Sequence, residues 1–177
     1  MIRFGWQISI RLTMIGEGPG KLKGSTIPAY IQIELPSLNE YPQPEWNTEK
    51  SVSNALARTV NATDKSESDH AYDDLLFAVG NSHAGTYFPV VLPVIPVLGQ
   101  IMQSEDSWAS FTVLEALIDI YGSFEPEPQY EEFAGQSLQV LVRSAVSQLT
   151  AVVVAIGNKE GAEAESARNL LEVMSNK

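Results

Sequence analysis

The side chains that could do chemistry are few. The chain holds two histidines, His70 and His83, and no cysteine. Without cysteine there is no disulfide framework, no zinc–thiolate site and no thiol nucleophile. Hydrolysis needs a nucleophile and a base within reach of each other, with the base oriented by a third group. His83 falls in GNSHAGT, a polar turn between two apolar stretches, and no partner that would make it a base can be identified. Its expected role is structural: with Asn81, Gly85 and Thr86 it locks that turn through hydrogen bonds to the backbone. His70 falls in the first turn of a helix and is expected to be solvated.

Carboxylates are the commoner reactive group. Glu115 and Asp119 lie one helical turn apart on one face, and Glu125, Glu127, Glu131 and Glu132 follow. A hard cation would need oxygens arranged as alternating loop ligands around a central glycine. No such loop is present, so no metal and no cofactor are assigned. The segment GEGPGKLKG resembles a phosphate-binding loop only superficially. Pro19 removes an N–H donor, and no Ser or Thr follows a lysine at the required place. No catalytic residues are assigned, and the expectation is a protein that is not an enzyme. The rival from another class is a small enzyme with a carboxylate or histidine site in a groove.

Recognition is better supported. Trp108 shares a helical stripe with Thr112, Glu115 and Asp119, and an aromatic anchor beside carboxylates suits docking of a basic protein. Glu125 and Glu127, in the acidic proline loop EPEP, extend that candidate partner-binding set. The alternative is that Trp108 packs under a loop at the helix start. The chain has 177 residues, a net charge of −11 and a pI near 4.5, which argues against direct binding to nucleic-acid phosphates. Between Lys65 and Arg143 there is no lysine or arginine, against twelve carboxylates. That interval is either a solubilising surface or one that faces a basic partner.

These residues must be positioned by elements, and the hydrophobic periodicity supplies them. Residues 2–15 alternate with period two, a strand pattern, and residues 29–35 could form a second strand. A self-associating scaffold built on that strand is a third reading, and a start at Met14 is a competing one. Residues 36–48, with three prolines, read as a linker. Thr48 can cap a helix bearing Val52, Ala55, Leu56 and Val60, and Asp69 a helix bearing Tyr72, Leu75, Leu76 and Val79. Gly80 ends that helix, as glycine does in a left-handed turn. The next helix is expected to start at Thr86, with Pro89 in its first turn and Pro93 and Pro96 inside it, giving a kink. Ser107 or Asp106 caps the following helix. One long helix runs from about Ser137 to Ile156, and a last one from about 160 to 174. The apolar runs read as core helices rather than membrane spans. Arg11 interrupts the apolar stretch after Arg3 and no cleavage site follows, so no signal peptide is expected. The lack of cysteine fits a reducing compartment, and a cytoplasmic location is expected.

Helix pairs joined by short turns, one helix interrupted by proline, are the arrangement of an α-solenoid. The runs FAVGNSHAGTYFPVVLPVIPVLGQIM and SWASFTVLEALIDIYGSFEPEPQY carry a resemblance. Gly80, Asn81, His83, Gly85, Thr86 and Tyr87, followed by the proline-rich helix, resemble a turn found in a group of bacterial HEAT-like repeat proteins. The likeness covers residues 70–132, with weaker agreement to the C-terminus, and leaves out the first 45. Some members of that group resemble immunity proteins of bacterial polymorphic toxin systems. The resemblance thus implies a protein-binding module that blocks a cognate, basic toxin, and it carries no catalytic residues. The expected fold is all-α: an extended or β-hairpin segment and linker over 1–47, then a short HEAT-like solenoid of antiparallel helix pairs over 48–177.

Overall fold

The structure is a computed structural model that describes residues 37–104 and 107–176. The strands expected over 2–15 and 29–35, the glycine-rich turn between them, and Asp106 lie outside the described residues. The described chain is mainly α-helical, as the periodicity predicts, and it also holds a few short strands that the periodicity does not show.

Helix α1 spans Ser51–Val60 and buries Val52, Ala55, Leu56 and Thr59, the one-face spacing of an amphipathic helix. Its start is not capped by Thr48. That hydroxyl accepts the Lys50 N–H at 3.3 Å and sits in a turn ahead of the helix. Helix α2 spans Lys65–Val79 and is capped by Asp64, not Asp69. Asp64 Oδ1 accepts the Glu67 N–H at 2.9 Å, and Glu67 reaches back to the Thr63 N–H and hydroxyl, each at 2.8 Å. This reciprocal arrangement satisfies orphan donors on both sides of the cap, so the polar stretch before Asp69 is already helix. Asp69 instead forms a surface ion pair with Lys65 at 2.7 Å.

Gly80 does not turn left-handed: its φ of −168° is extended backbone. It is needed for a close approach, since a Cβ there would sit 2.1 Å from the Thr86 carbonyl oxygen. Strand β1 (Gly80–Asn81) pairs antiparallel with β2 (Thr86–Tyr87), and β2 pairs in parallel with β3 (Glu125–Pro126). Thr86 therefore lies in a strand and does not cap a helix. Helix α3 starts later, at Val91, and runs to Ile101. Pro93 then falls in the first turn, where an N–H has no helical partner, and only Pro96 is interior. An interior proline costs about 3 kcal/mol. Val94, Ile95, Val97 and Leu98 are fully buried around it, and each such side chain contributes roughly 1.5–3 kcal/mol, so packing wins.

Helix α4 (Ser107–Ile118) continues into a single π-type turn, Asp119–Ser123, closed by the Phe124 N–H on the Asp119 carbonyl at 2.8 Å. A short 3₁₀ turn, Pro128–Tyr130, leads to the hairpin of β4 (Glu132–Phe133) and β5 (Gln136–Ser137). Its two turn residues, Ala134 and Gly135, both have positive φ, 51° and 75°, as a tight two-residue hairpin turn requires.

The long helix expected over 137–156 is two helices, α5 (Leu138–Ser147) and α6 (Thr150–Gly157), bent by 50° at the break. The Thr150 hydroxyl takes the Ser147 carbonyl at 2.6 Å. Leu149 packs so closely on α3 that a Cβ on Gly99 would lie 2.4 Å from its Cδ2. Helix α7 (Ala162–Ser175) closes the chain. Helix α4 packs on α2 at one side and on α7 at the other; α1 packs on α2, α6 on α7, and α3 on α5. Among the described residues no single helix is long and apolar enough to cross a membrane.

Candidate functional site

The polar stripe of α4 is partly covered, because α2 and α7 flank the helix: Thr112 is buried and Trp108, Glu115 and Asp119 are half-buried. The Thr112 hydroxyl donates to the Trp108 carbonyl at 2.8 Å. A threonine has one hydroxyl hydrogen, so Ser68 of α2 must donate in the 2.7 Å contact between the two hydroxyls. One turn on, the Ser166 hydroxyl of α7 donates to Glu115 Oε1 at 2.6 Å. At the end of the helix the Tyr72 hydroxyl of α2 donates to Asp119 Oδ2. Burial pushes the Tyr72 phenol above its ordinary value, and the hydrogen bond to Asp119 pushes it the same way.

Glu115 and Asp119 thus turn toward different helices. Each ties α4 to a neighbouring helix through one oxygen while the residue stays half-exposed. Trp108 is half-buried, with its ring edge-on to Phe111 at 5.7 Å.

In the 81–86 turn, Asn81 supplies the lock. Its carbonyl and its Oδ1 both accept the Ala84 N–H, at 3.1 and 3.2 Å. Gly85 takes a positive φ of 67°. His83 is exposed, and no hydrogen bond from its ring is seen among the described residues. The Thr86 hydroxyl donates to Glu127 Oε2 at 2.6 Å, so the turn and the acidic loop are joined. Glu125, exposed, accepts from the Gln139 side chain at 2.5 Å. Burial raises the Tyr87 phenol above its ordinary value, Glu125 adds to this, and Arg143 opposes it. The Arg143 guanidinium itself lies 5.7 Å from the centre of the Tyr121 ring.

No family model, curated protein or solved structure matches the chain. Among the described residues no three His, Asp or Glu side chains gather as a metal site. His70 lines a shallow hollow with Arg58, Asn61 and Glu67, but Arg58 is already paired with Asp74 of α2.

The surface that stands out lies elsewhere. Trp46 stacks on Phe77, with ring centres 5.0 Å apart and planes at 26°, yet the residues remain 43% and 46% exposed. Trp46 also meets Phe88 edge-on at 6.2 Å, and Phe88 meets Tyr130 at 5.4 Å. Tyr41 and Phe133 pair at 5.7 Å. These two groups of rings, Phe77–Trp46–Phe88–Tyr130 and Tyr41–Phe133, bring the segment 37–50 against the end of α2 and the residues after the acidic loop, and together they are called the aromatic belt. Hydrogen bonds hold it: Trp46 Nε1–H donates to the Phe77 carbonyl at 3.1 Å, and the Asn47 amide to the Ala78 carbonyl at 2.8 Å. Both acceptors are carbonyls of the last turn of α2, which lack helical partners.

The sequence reading missed Trp46 and Phe77. The available signal was Phe77, which falls off the apolar face of α2, four residues after Asp73.

Proposed function

We propose that the chain is a non-catalytic protein-binding module, a short HEAT-like α-solenoid whose partner is basic. The observation that carries this reading is the stacked, half-exposed Trp46–Phe77 pair on a chain of net charge −11. Tryptophan and other aromatic anchors dominate the energetics of interfaces, and complementary charge steers the encounter. Exposed carboxylates border the belt: Glu45 beside Trp46, Asp73 one turn before Phe77, and Glu131 and Glu132 between Tyr130 and Phe133. The resemblance of residues 70–132 to HEAT-like immunity proteins favours a cognate toxin as that partner.

Co-purification from the source cells tests the reading. The tagged chain should retain a basic protein at low ionic strength and release it as salt rises, because screening removes steering between exposed charges. Retention of no protein at low salt would remove the proposal's support.

A further inference from the structure

The Trp46–Phe77 pair is stacked and half-exposed beside carboxylates. The Trp46 ring is fixed by its N–H bond to the Phe77 backbone carbonyl and by its stack on the Phe77 ring. The anchoring of segment 37–50 uses the Phe77 and Ala78 carbonyls, so the Phe77 ring is not needed to supply those acceptors. What the ring adds is a flat, half-exposed aromatic surface stacked beside Trp46. Its neighbours are anionic. Asp73 is exposed and lies at the i−4 position of the same helix, on the same side as Phe77. Glu45 is exposed next to Trp46. Neither forms an ion pair among the described residues, whereas Asp74 is taken by Arg58.

A π face attracts a cation, and a flanking carboxylate accepts N–H bonds from it. A guanidinium meets both demands at once: it is planar and weakly hydrated, it stacks flat on an aromatic ring, and its N–H edge remains free for a carboxylate. An ammonium is a compact, strongly hydrated point charge and gains less from a flat platform.

We propose that Trp46 and Phe77 form a guanidinium platform. Its occupant is an arginine side chain of a basic partner segment, stacked on the aromatic pair with its N–H edge toward Asp73 or Glu45. This rests on the protein-binding reading and adds to it the chemical group recognised.

The full chain would be titrated at low ionic strength with a capped arginine peptide and, separately, with a capped lysine peptide of equal length and charge. The indole N–H resonances of Trp6, Trp46 and Trp108 are followed, and Trp46→Phe assigns the relevant one. The expected result is a shift of the Trp46 resonance with a midpoint about two- to fivefold lower for arginine than for lysine. Phe77→Ala should abolish that preference, and Asp73→Asn should raise the arginine midpoint, with the helical circular dichroism unchanged in both. Equal midpoints for the two peptides would overturn the platform while leaving a basic partner intact. A Trp46 resonance unmoved by either peptide would also overturn it. The protein-binding reading itself falls only if co-purification retains nothing.

Discussion

The Tyr72 hydroxyl donates to the Asp119 carboxylate and so joins the middle of α2 to the end of α4. Asp119 begins the π-type turn that closes α4, so one bond fixes both a helix pair and the exit of the chain into the acidic loop. A partly buried carboxylate deprived of its donor loses more than the bond itself, because it must stay desolvated.

Tyr72→Phe is therefore expected to destabilise the fold by about 1–2 kcal/mol. Asp119→Asn should cost less, since the amide oxygen still accepts. In urea denaturation the Tyr72→Phe, Asp119→Ala cycle should give a coupling of about 1 kcal/mol. Additive effects would mean that the bond does not hold α2 to α4.

The alkaline limb of stability follows from the same phenol and from Tyr87. Both are raised above the ordinary tyrosine value of 10.0, chiefly by burial. In the unfolded chain each releases its proton near the ordinary value, while the folded chain retains it. Above that pH the unfolded state binds fewer protons, so stability falls as pH rises. Melting temperatures should hold steady up to about pH 10 and then decline, and Tyr72→Phe should flatten the decline. An identical slope in the variant would contradict the assignment.

Two glycines separate close approach from backbone conformation. Ala at position 80 places a Cβ 2.1 Å from a backbone oxygen that β1–β2 pairing holds in place. Gly80→Ala should cost at least about 2 kcal/mol. At position 85 the nearest atom to a new Cβ is 3.8 Å away, and only the positive φ of 67° opposes substitution. Gly85→Ala should cost about 1–2 kcal/mol. Chemical denaturation of both variants checks the order, and a larger loss at position 85 would reverse the argument.

Much of the helical fold could be read from periodicity, because one-face spacing survives wherever a helix has one buried side. The buried faces of α1 and α7 fall where that spacing puts them. One-face spacing says less where a helix has more than one neighbour. On a helical wheel Thr112, Glu115 and Asp119 look like the solvated edge of α4, yet α2 and α7 present Ser68, Tyr72 and Ser166 to meet them. It also says less where a long-range contact overrides a local pattern. Leu149 belongs to an unbroken apolar stripe, but its approach to Gly99 coincides with the break between α5 and α6. Trp46 gave no periodic signal because it lies in a proline-rich segment, and the docking of that segment shows only in long-range contacts such as its hydrogen bond to Phe77 and that of Asn47 to Ala78, each 31 residues away.

In the proposed function, recognition uses the aromatic belt at Trp46 and Phe77, while Glu115 and Asp119 tie α4 to α7 and α2. The most direct measurement is side-by-side co-purification from the source cells with two variant baits, Phe77→Ala and Glu115→Gln. Glu115→Gln keeps an acceptor for Ser166 and changes only a group tied to α7. The account predicts that the basic partner retained by the wild-type chain is lost with Phe77→Ala and kept with Glu115→Gln. Loss with Glu115→Gln and retention with Phe77→Ala would contradict it.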